Sequence, residues 1–152
     1  MTDRPANHVT FVLERDYPVS PGRVFDAFAD PETKTRWFAG PPGWDKGAHE
    51  LDFEVGGREH LQIKDDTGVV HTYDARYQDI VPAERIVNCY TMYLGDVRIS
   101  VSLMTVELVA TDGGTHLTFT EQAIFLDGAD EPDLRIAGTE ALLDSLGTEL
   151  AS

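Results

Sequence analysis

The last stretch of the chain, Asp133–Leu150, is the only long segment with the periodicity of an α-helix. Its charged residues Glu140 and Asp144 fall on one side. On the other side, apolar residues and one threonine recur at steps of three and four: Ile136, Thr139, Leu143, Leu146 and Leu150. Such a helix is not stable alone, because its apolar face needs a surface to cover. The preceding sequence is therefore predicted to supply that surface.

Most of the preceding sequence alternates between apolar and polar residues with the period of two that is typical of β-strands. The predicted strands are His8–Tyr17, Glu50–Val55, a strand around Leu61 and Ile63, Val69–Asp79, Arg85–Tyr93, Val97–Ala110 and Thr115–Phe125. Two short helices are predicted after the first strand, opened by Ser20-Pro21 and Asp30-Pro31, because each pair supplies a cap and a first-turn proline. The order β-α-α-β6-α predicts an α+β fold with a curved antiparallel sheet wrapped around the long C-terminal helix.

Strand phase predicts which side chains face that helix. In Val69–Asp79 one phase is polar, so the phase of Tyr73 and Tyr77 is predicted to point inward. In Val97–Ala110 the residues Val97, Ile99, Val101 and Leu103 share one phase, whereas Val106 and Leu108 have the other. This change predicts a bulge or a strong bend near Leu103-Met104.

Composition limits the possible partners. The 152 residues suffice for a real core, so one domain over residues 1–152 is expected. A net charge of −15 disfavours nucleic acid and anionic membranes, because like charges repel. The single cysteine, Cys89, and the lack of a signal peptide or transmembrane run favour a cytoplasmic location. A monomer or weak homodimer is expected. The five histidines show no metal-ligand spacing, so neither a metal nor a cofactor is expected.

Several motifs together resemble one superfamily over nearly the whole chain. They are PVSPGRVFDAFADPETKTRWFAGPPGW, FEVGG, DIVPAER and GGTHLTFTEQ, in this order. The set resembles the SRPBCC (START-like, helix-grip) superfamily, and more narrowly the C-terminal domain of the heat-shock-protein-90 ATPase activator. FTEQAIFLDG followed by AGTEALLDSLG is similar to the bacterial single-domain, polyketide-cyclase-like branch.

The resemblance implies a helix-grip fold with a ligand cavity between the sheet and the last helix, but it implies no reaction. Many relatives carry a Gly-Trp pair ahead of the final leucines, where this chain has Gly138-Thr139. The ligands of those relatives are therefore not transferred. The chaperone activator also has an N-terminal domain that this chain does not show, so its chaperone role is not expected here.

Glu121 is the strongest candidate for chemistry. It shares the phase of the apolar residues Phe119 and Phe125, so its carboxylate is predicted to point into an apolar interior. Glu59 shares the inward phase of its own strand. Two carboxylates in one cavity can divide acid and base roles. The alternatives are a carboxylate bonded to a tyrosine or an arginine, and a polar contact for a ligand.

The inner face is also rich in aromatic residues, which suit flat and weakly polar ligands. The candidate pocket residues are Trp37, Trp44, Glu59, Tyr73, Tyr77, Tyr90, Met92, Phe119, Glu121, Gly138, Thr139 and Leu142. On the helix, Gly138 is expected to leave room and Thr139 to offer a hydroxyl.

Three functions follow, in decreasing order of support. The first is binding of a small hydrophobic molecule, aromatic or polyketide-like. The second is a cyclase or aromatase that uses Glu121 as acid or base. The third is a chaperone-ATPase-activator-like interaction module. Binding without catalysis is favoured.

Overall fold

Seven strands and three helices make up residues 3–152, the part of the chain that the computed structural model describes. The strands are β1 (Ala6–Tyr17), β2 (Asp45–Leu51), β3 (Arg58–Lys64), β4 (Val70–Val81), β5 (Arg85–Leu94), β6 (Val97–Thr111) and β7 (Gly114–Leu126). The helices are α1 (Pro21–Ala29), α2 (Pro31–Trp37) and α3 (Pro132–Leu150). The strands pair antiparallel in the order β1-β7-β6-β5-β4-β3-β2, which confirms the predicted α+β helix-grip fold.

The two short helices begin as the sequence predicts. Ser20 and Asp30 each accept a hydrogen bond from the backbone N–H three residues further on, at 3.2 and 3.1 Å. Pro21 and Pro31 occupy the first turns, where no backbone N–H is needed. The two helices follow β1 and pack against each other and against α3, with α1 also on β6 and β7 and α2 on β2.

Helix α3 packs its apolar stripe on the sheet. Leu143, Leu146 and Leu150 are buried and belong to one core with residues of α1, β1 and the central strands. The hydroxyl of Tyr17 donates to the carbonyl of Leu143 at 2.7 Å. Gly147 lies beside the Tyr17 ring, so a Cβ there would come within 3.3 Å of it. This contact fixes the C-terminal half of α3 against β1.

The second strand differs from its prediction at both ends. It spans Asp45–Leu51 rather than Glu50–Val55, and Val55 lies in a turn with 62% of its surface exposed. The cause is Gly57, whose carbonyl accepts from Tyr77 N at 3.0 Å and so joins the turn to β4. The shift brings His49 into the sheet.

The phase change of β6 lies earlier in the strand than predicted. The buried residues that alternate along the strand are Ser100, Ser102, Met104, Val106 and Leu108. Ile99 is buried too, whereas Val97 and Val101 are exposed. The pairing with β5 shifts register between Met92 and Tyr93, opposite Arg98–Ser100. The bulge therefore lies there and not near Leu103-Met104.

Candidate ligand-binding site

Glu121 of β7 is fully buried on the inner face of the sheet, in the phase of Ala123 and Phe125. Three donors converge on its Oε2 atom: the Tyr90 hydroxyl at 2.7 Å, the Ser102 hydroxyl at 2.9 Å and Arg135 Nη1 at 3.2 Å. Its other oxygen, Oε1, is buried and has no hydrogen-bond partner within residues 3–152. The carboxylate is therefore bound on one side only.

Arg135 of α3 links this cluster on the sheet to the helix. Its Nη2 donates to the Ser100 hydroxyl at 2.8 Å and to Asp130 at 3.1 Å, and only 10% of the side chain is exposed. Burial by itself lowers the pKa of Arg135, but the nearby Tyr90, Glu121 and Asp130 outweigh it and raise the pKa above its ordinary value. The guanidinium is therefore a permanent cation at the rim of the cluster.

A second unpartnered acceptor lies on the neighbouring strands. Asn88 of β5 is fully buried, and its Nδ2 donates to the Tyr73 hydroxyl at 3.0 Å. Its Oδ1 has no partner in the described part of the chain. The rings of Tyr73 and Tyr90 lie 4.8 Å apart. Burial raises the pKa of both tyrosines, with a further contribution from neighbouring carboxylates, so both stay neutral.

Glu59 of β3 forms a separate cluster. Its Oε1 accepts from Lys34 Nζ at 2.7 Å and from the Tyr77 hydroxyl at 2.6 Å, and its Oε2 bonds to His49 Nε2 at 2.7 Å. The side chains of all four residues are buried. Burial alone raises the pKa of Glu59, but the Lys34 cation and the three hydrogen bonds outweigh it and lower the pKa to about 2. This cluster attaches α2 to β2, β3 and β4.

Glu59 and Glu121 lie apart on the inner face of the sheet. Strand β3 lies four strands from β7, which corresponds to about 19 Å along the sheet surface. Each carboxylate has its own set of hydrogen-bond partners. The two carboxylates therefore belong to separate hydrogen-bond clusters.

Three predicted pocket residues lie away from Glu121. Trp37 packs between α1 and α2, where its Nε1 donates to the carbonyl of Ala27 at 2.8 Å. Trp44 covers the ring of His71 at 4.8 Å, at the start of β4. Tyr77 belongs to the Glu59 cluster. Each is held by local partners that hydrophobic patterns do not reveal.

The remaining predicted residues lie partly in the core and partly on the exposed face of α3. Met92 and Phe119 face the core from the sheet, and Leu142 faces it from α3. Thr139 is buried, and its hydroxyl hydrogen is already donated to the carbonyl of Arg135 at 2.8 Å. Gly138 is exposed, with no atom within 4 Å of an added Cβ, so the expectation that it leaves room in a pocket is wrong.

Two surface depressions of the described structure lie away from Glu121. One, of about 530 Å³, lies on the surface of α1 and α2 between Arg23 and Thr33. The other, of about 310 Å³, lies between α2 and the end of α3, beside Trp37. Neither is lined by Glu121. The polar cluster, and not an open cleft, therefore marks the candidate site.

Four residues of the site were not predicted. Ser100 and Ser102 were missed because the phase change of β6 was predicted too late in the strand, and Asn88 lies in a strand that is apolar on both phases. Arg135 precedes Thr139 by one helical turn and shares its stripe, which is the signal that could have revealed it.

Residues 3–152 contain neither a candidate metal site nor a candidate membrane span. No group of three or more histidine, cysteine, aspartate or glutamate side chains in this range is arranged to hold a metal ion. None of the helices described there combines the length and apolar character needed to cross a bilayer.

Comparison with known proteins identifies the family. The profile described as Activator of Hsp90 ATPase homolog 1-like protein (AHSA1) matches residues 18–151. The chain belongs to this AHSA1 family. The match confirms the SRPBCC-type assignment made from the motifs between Pro18 and Gly147. No curated protein matches the chain.

Solved structures resemble this AHSA1-like chain over almost its full length. A protein of Rhizobium leguminosarum is 46% identical, with a TM-score of 0.95 and 99% of each chain covered. Mll3558 of Rhizobium loti is 45% identical, with a TM-score of 0.88, covering 95% of this chain and 99% of its own. An AHSA1-like protein of Aeromonas hydrophila is 19% identical, with a TM-score of 0.72 and 94% and 92% covered. The last likeness concerns the fold alone.

Proposed function

We propose that this AHSA1-like protein binds a small hydrophobic molecule, of aromatic or polyketide type, between the sheet and α3. The observation that carries the proposal is Glu121, fully buried with its Oε1 unpartnered within residues 3–152. A buried acceptor without a partner costs about 1–3 kcal/mol. A polar atom of a bound ligand would remove that cost.

The surroundings suit a flat ligand. The rings of Tyr73, Tyr90 and Phe119 line the inner face near Glu121. Met92 is the cross-strand partner of Tyr73, and Met104 lies between Asn88 and Glu121 in the sheet. Methionine side chains adapt readily to a new shape, so Met104 can move to accommodate a ligand beside Glu121.

Isothermal titration with planar phenols tests the proposal. The wild-type protein is expected to bind one molecule saturably. Ser102→Leu fills the space beside Glu121 and is expected to weaken binding by about tenfold or more. Ala141→Leu adds the same side chain on the exposed side of α3 and is the matched control, with unchanged affinity.

Equal affinities in the two leucine variants would contradict this location. A cyclase that uses Glu121 is the alternative, and the unpartnered Oε1 supports it because this oxygen can take a proton from a bound substrate. That function requires turnover of a polyketide-like compound that is lost in Glu121→Gln. The family description suggests a third function, contact with an Hsp90-type chaperone, which a pull-down with that chaperone tests.

A further inference from the structure

The two unpartnered acceptors lie in one row across the sheet. Asn88 is the cross-strand partner of Met104, and Met104 is the partner of Glu121. Residues paired in this way point to the same face, so Asn88 and Glu121 are neighbours across β6. Their Cα atoms are about 10 Å apart, which is two strand spacings. Both residues are fully buried.

None of the donors that contact these two residues reaches Asn88 Oδ1 or Glu121 Oε1. Tyr90, Ser102 and Arg135 all donate to the other oxygen of Glu121. The amide nitrogen of Asn88 donates to Tyr73. Within residues 3–152, Asn88 Oδ1 and Glu121 Oε1 thus remain two acceptors without donors. Buried acceptors in native proteins almost always have a donor on the protein, on ordered water or on a ligand, so a ligand with two donors would satisfy both atoms.

The charge around the row excludes anions. Glu121 and Asp130 contribute two negative charges and Arg135 one positive charge, and all three meet in one ion-pair network. The cluster therefore carries a net charge of about −1, inside a chain of net charge −15. A second buried carboxylate or a phosphate would meet repulsion and a large cost of desolvation.

We infer that the ligand is an uncharged, flat molecule with two O–H or N–H donors, one for Asn88 Oδ1 and one for Glu121 Oε1. This inference rests on the proposed function and adds the hydrogen-bonding pattern that selects the ligand. Asn88 is thereby a specificity-determining residue.

Three matched probes test the inference by calorimetry on the full chain. They are a dihydroxynaphthalene with one hydroxyl on each ring, its dimethyl ether, and the corresponding naphthalene dicarboxylate. The dihydroxy probe is expected to bind about tenfold or more tightly than the ether, which has no donor. The dicarboxylate is expected not to bind measurably. These comparisons use the wild-type protein and do not depend on the folding of a variant.

Glu121→Gln gives the sharpest variant test. Three donors point at the Oε2 position, so the glutamine carbonyl is expected to take that place and the amide NH₂ to replace Oε1. The substitution therefore replaces the hydrogen-bond acceptor Oε1 by a donor. The preference for the dihydroxy probe over the ether is expected to fall by about tenfold, because the ether oxygens can now accept.

Asn88→Leu tests the second acceptor. It removes Oδ1 and is expected to reduce the preference by a similar factor. Tyr73→Phe is its control, because it removes the same Asn88–Tyr73 hydrogen bond but keeps Oδ1. In this control the ratio of the two affinities is expected to persist even if both affinities fall.

The outcomes separate this inference from the proposed function. Equal binding of the dihydroxy probe and the ether would overturn the inference and leave ligand binding supported. Tight binding of the dicarboxylate would overturn it as well. If none of the probes binds saturably, both the inference and the proposed function fail.

Discussion

Glu59 and Glu121 are both fully buried on the inner face of the same sheet, but they are satisfied differently. Glu59 uses both oxygens, with Lys34 and Tyr77 on one and His49 on the other. Glu121 uses one oxygen for three donors and leaves the other without a partner within the described residues. The first cluster is complete, whereas the second lacks a donor.

The difference indicates different roles. A complete buried cluster ties elements together, and the Glu59 cluster joins α2 to three strands through side chains that are at most 3% exposed. An incomplete buried cluster is retained at a cost to stability, which is typical of functional sites. Burial of a carboxylate alone therefore does not identify a binding site. A buried carboxylate oxygen without a hydrogen-bond donor is the feature that marks a candidate site.

The largest effect is expected at the complete cluster. Glu59→Gln leaves the buried Lys34 without its counter-charge and is expected to lower the free energy of unfolding by about 3–5 kcal/mol. Urea denaturation measures the change. Glu50→Gln, at an exposed glutamate of β2, is the control and is expected to change stability by about 0.5 kcal/mol or less. Equal effects of the two variants would show that the cluster is not structural.

Acid should remove the same stabilisation in the wild type. The pKa of Glu59 is about 2 in the folded protein, against an ordinary value of 4.5. A lowered folded pKa gives stability that is complete above the ordinary value and is lost as the pH falls towards 2. The shift corresponds to about 3 kcal/mol. The free energy of unfolding, measured as the pH is lowered between these two values, should therefore fall more steeply in the wild type than in Glu59→Gln. Parallel pH profiles would contradict the low pKa of Glu59.

A smaller effect is expected at the incomplete cluster. In Glu121→Gln the amide oxygen still accepts from Tyr90 and Ser102, and Arg135 keeps Asp130 as its counter-ion. The expected loss is about 1–2 kcal/mol in the same urea experiment. A loss as large as that of Glu59→Gln would show that both clusters are structural and would end the distinction between them.

The smallest effect is expected on the side of α3 that faces away from both clusters. Gly138 is exposed in the helix interior with no atom near an added Cβ. Gly138→Ala is expected to stabilise the protein by about 0.5–1 kcal/mol, since alanine loses less backbone entropy. Probe affinity should not change. A loss of probe binding in this variant would show that Gly138 lies in the binding site.

The sequence predicted the elements better than the site. Caps at Ser20 and Asp30, and the stripe from Thr139 to Leu150, are local signals, so the helices could be placed directly. The position of the phase change in β6 was wrong because a bulge opposite Met92-Tyr93 sets it, and a bulge depends on the partner strand. With that phase Ser100 and Ser102 were hidden, and so were the partners of Glu121.

Periodicity, capping and motif order by themselves determined the fold class, the family and the inward direction of Glu59 and Glu121. Those features depend on neighbours in sequence. Only the tertiary structure decided which carboxylate is fully paired, since Lys34, His49 and Arg135 reach their partners from other helices and strands, 25, 10 and 14 residues away. A hydrogen bond requires atoms within about 3 Å of each other. The pattern of a single strand or helix fixes direction, but it does not bring such distant atoms together.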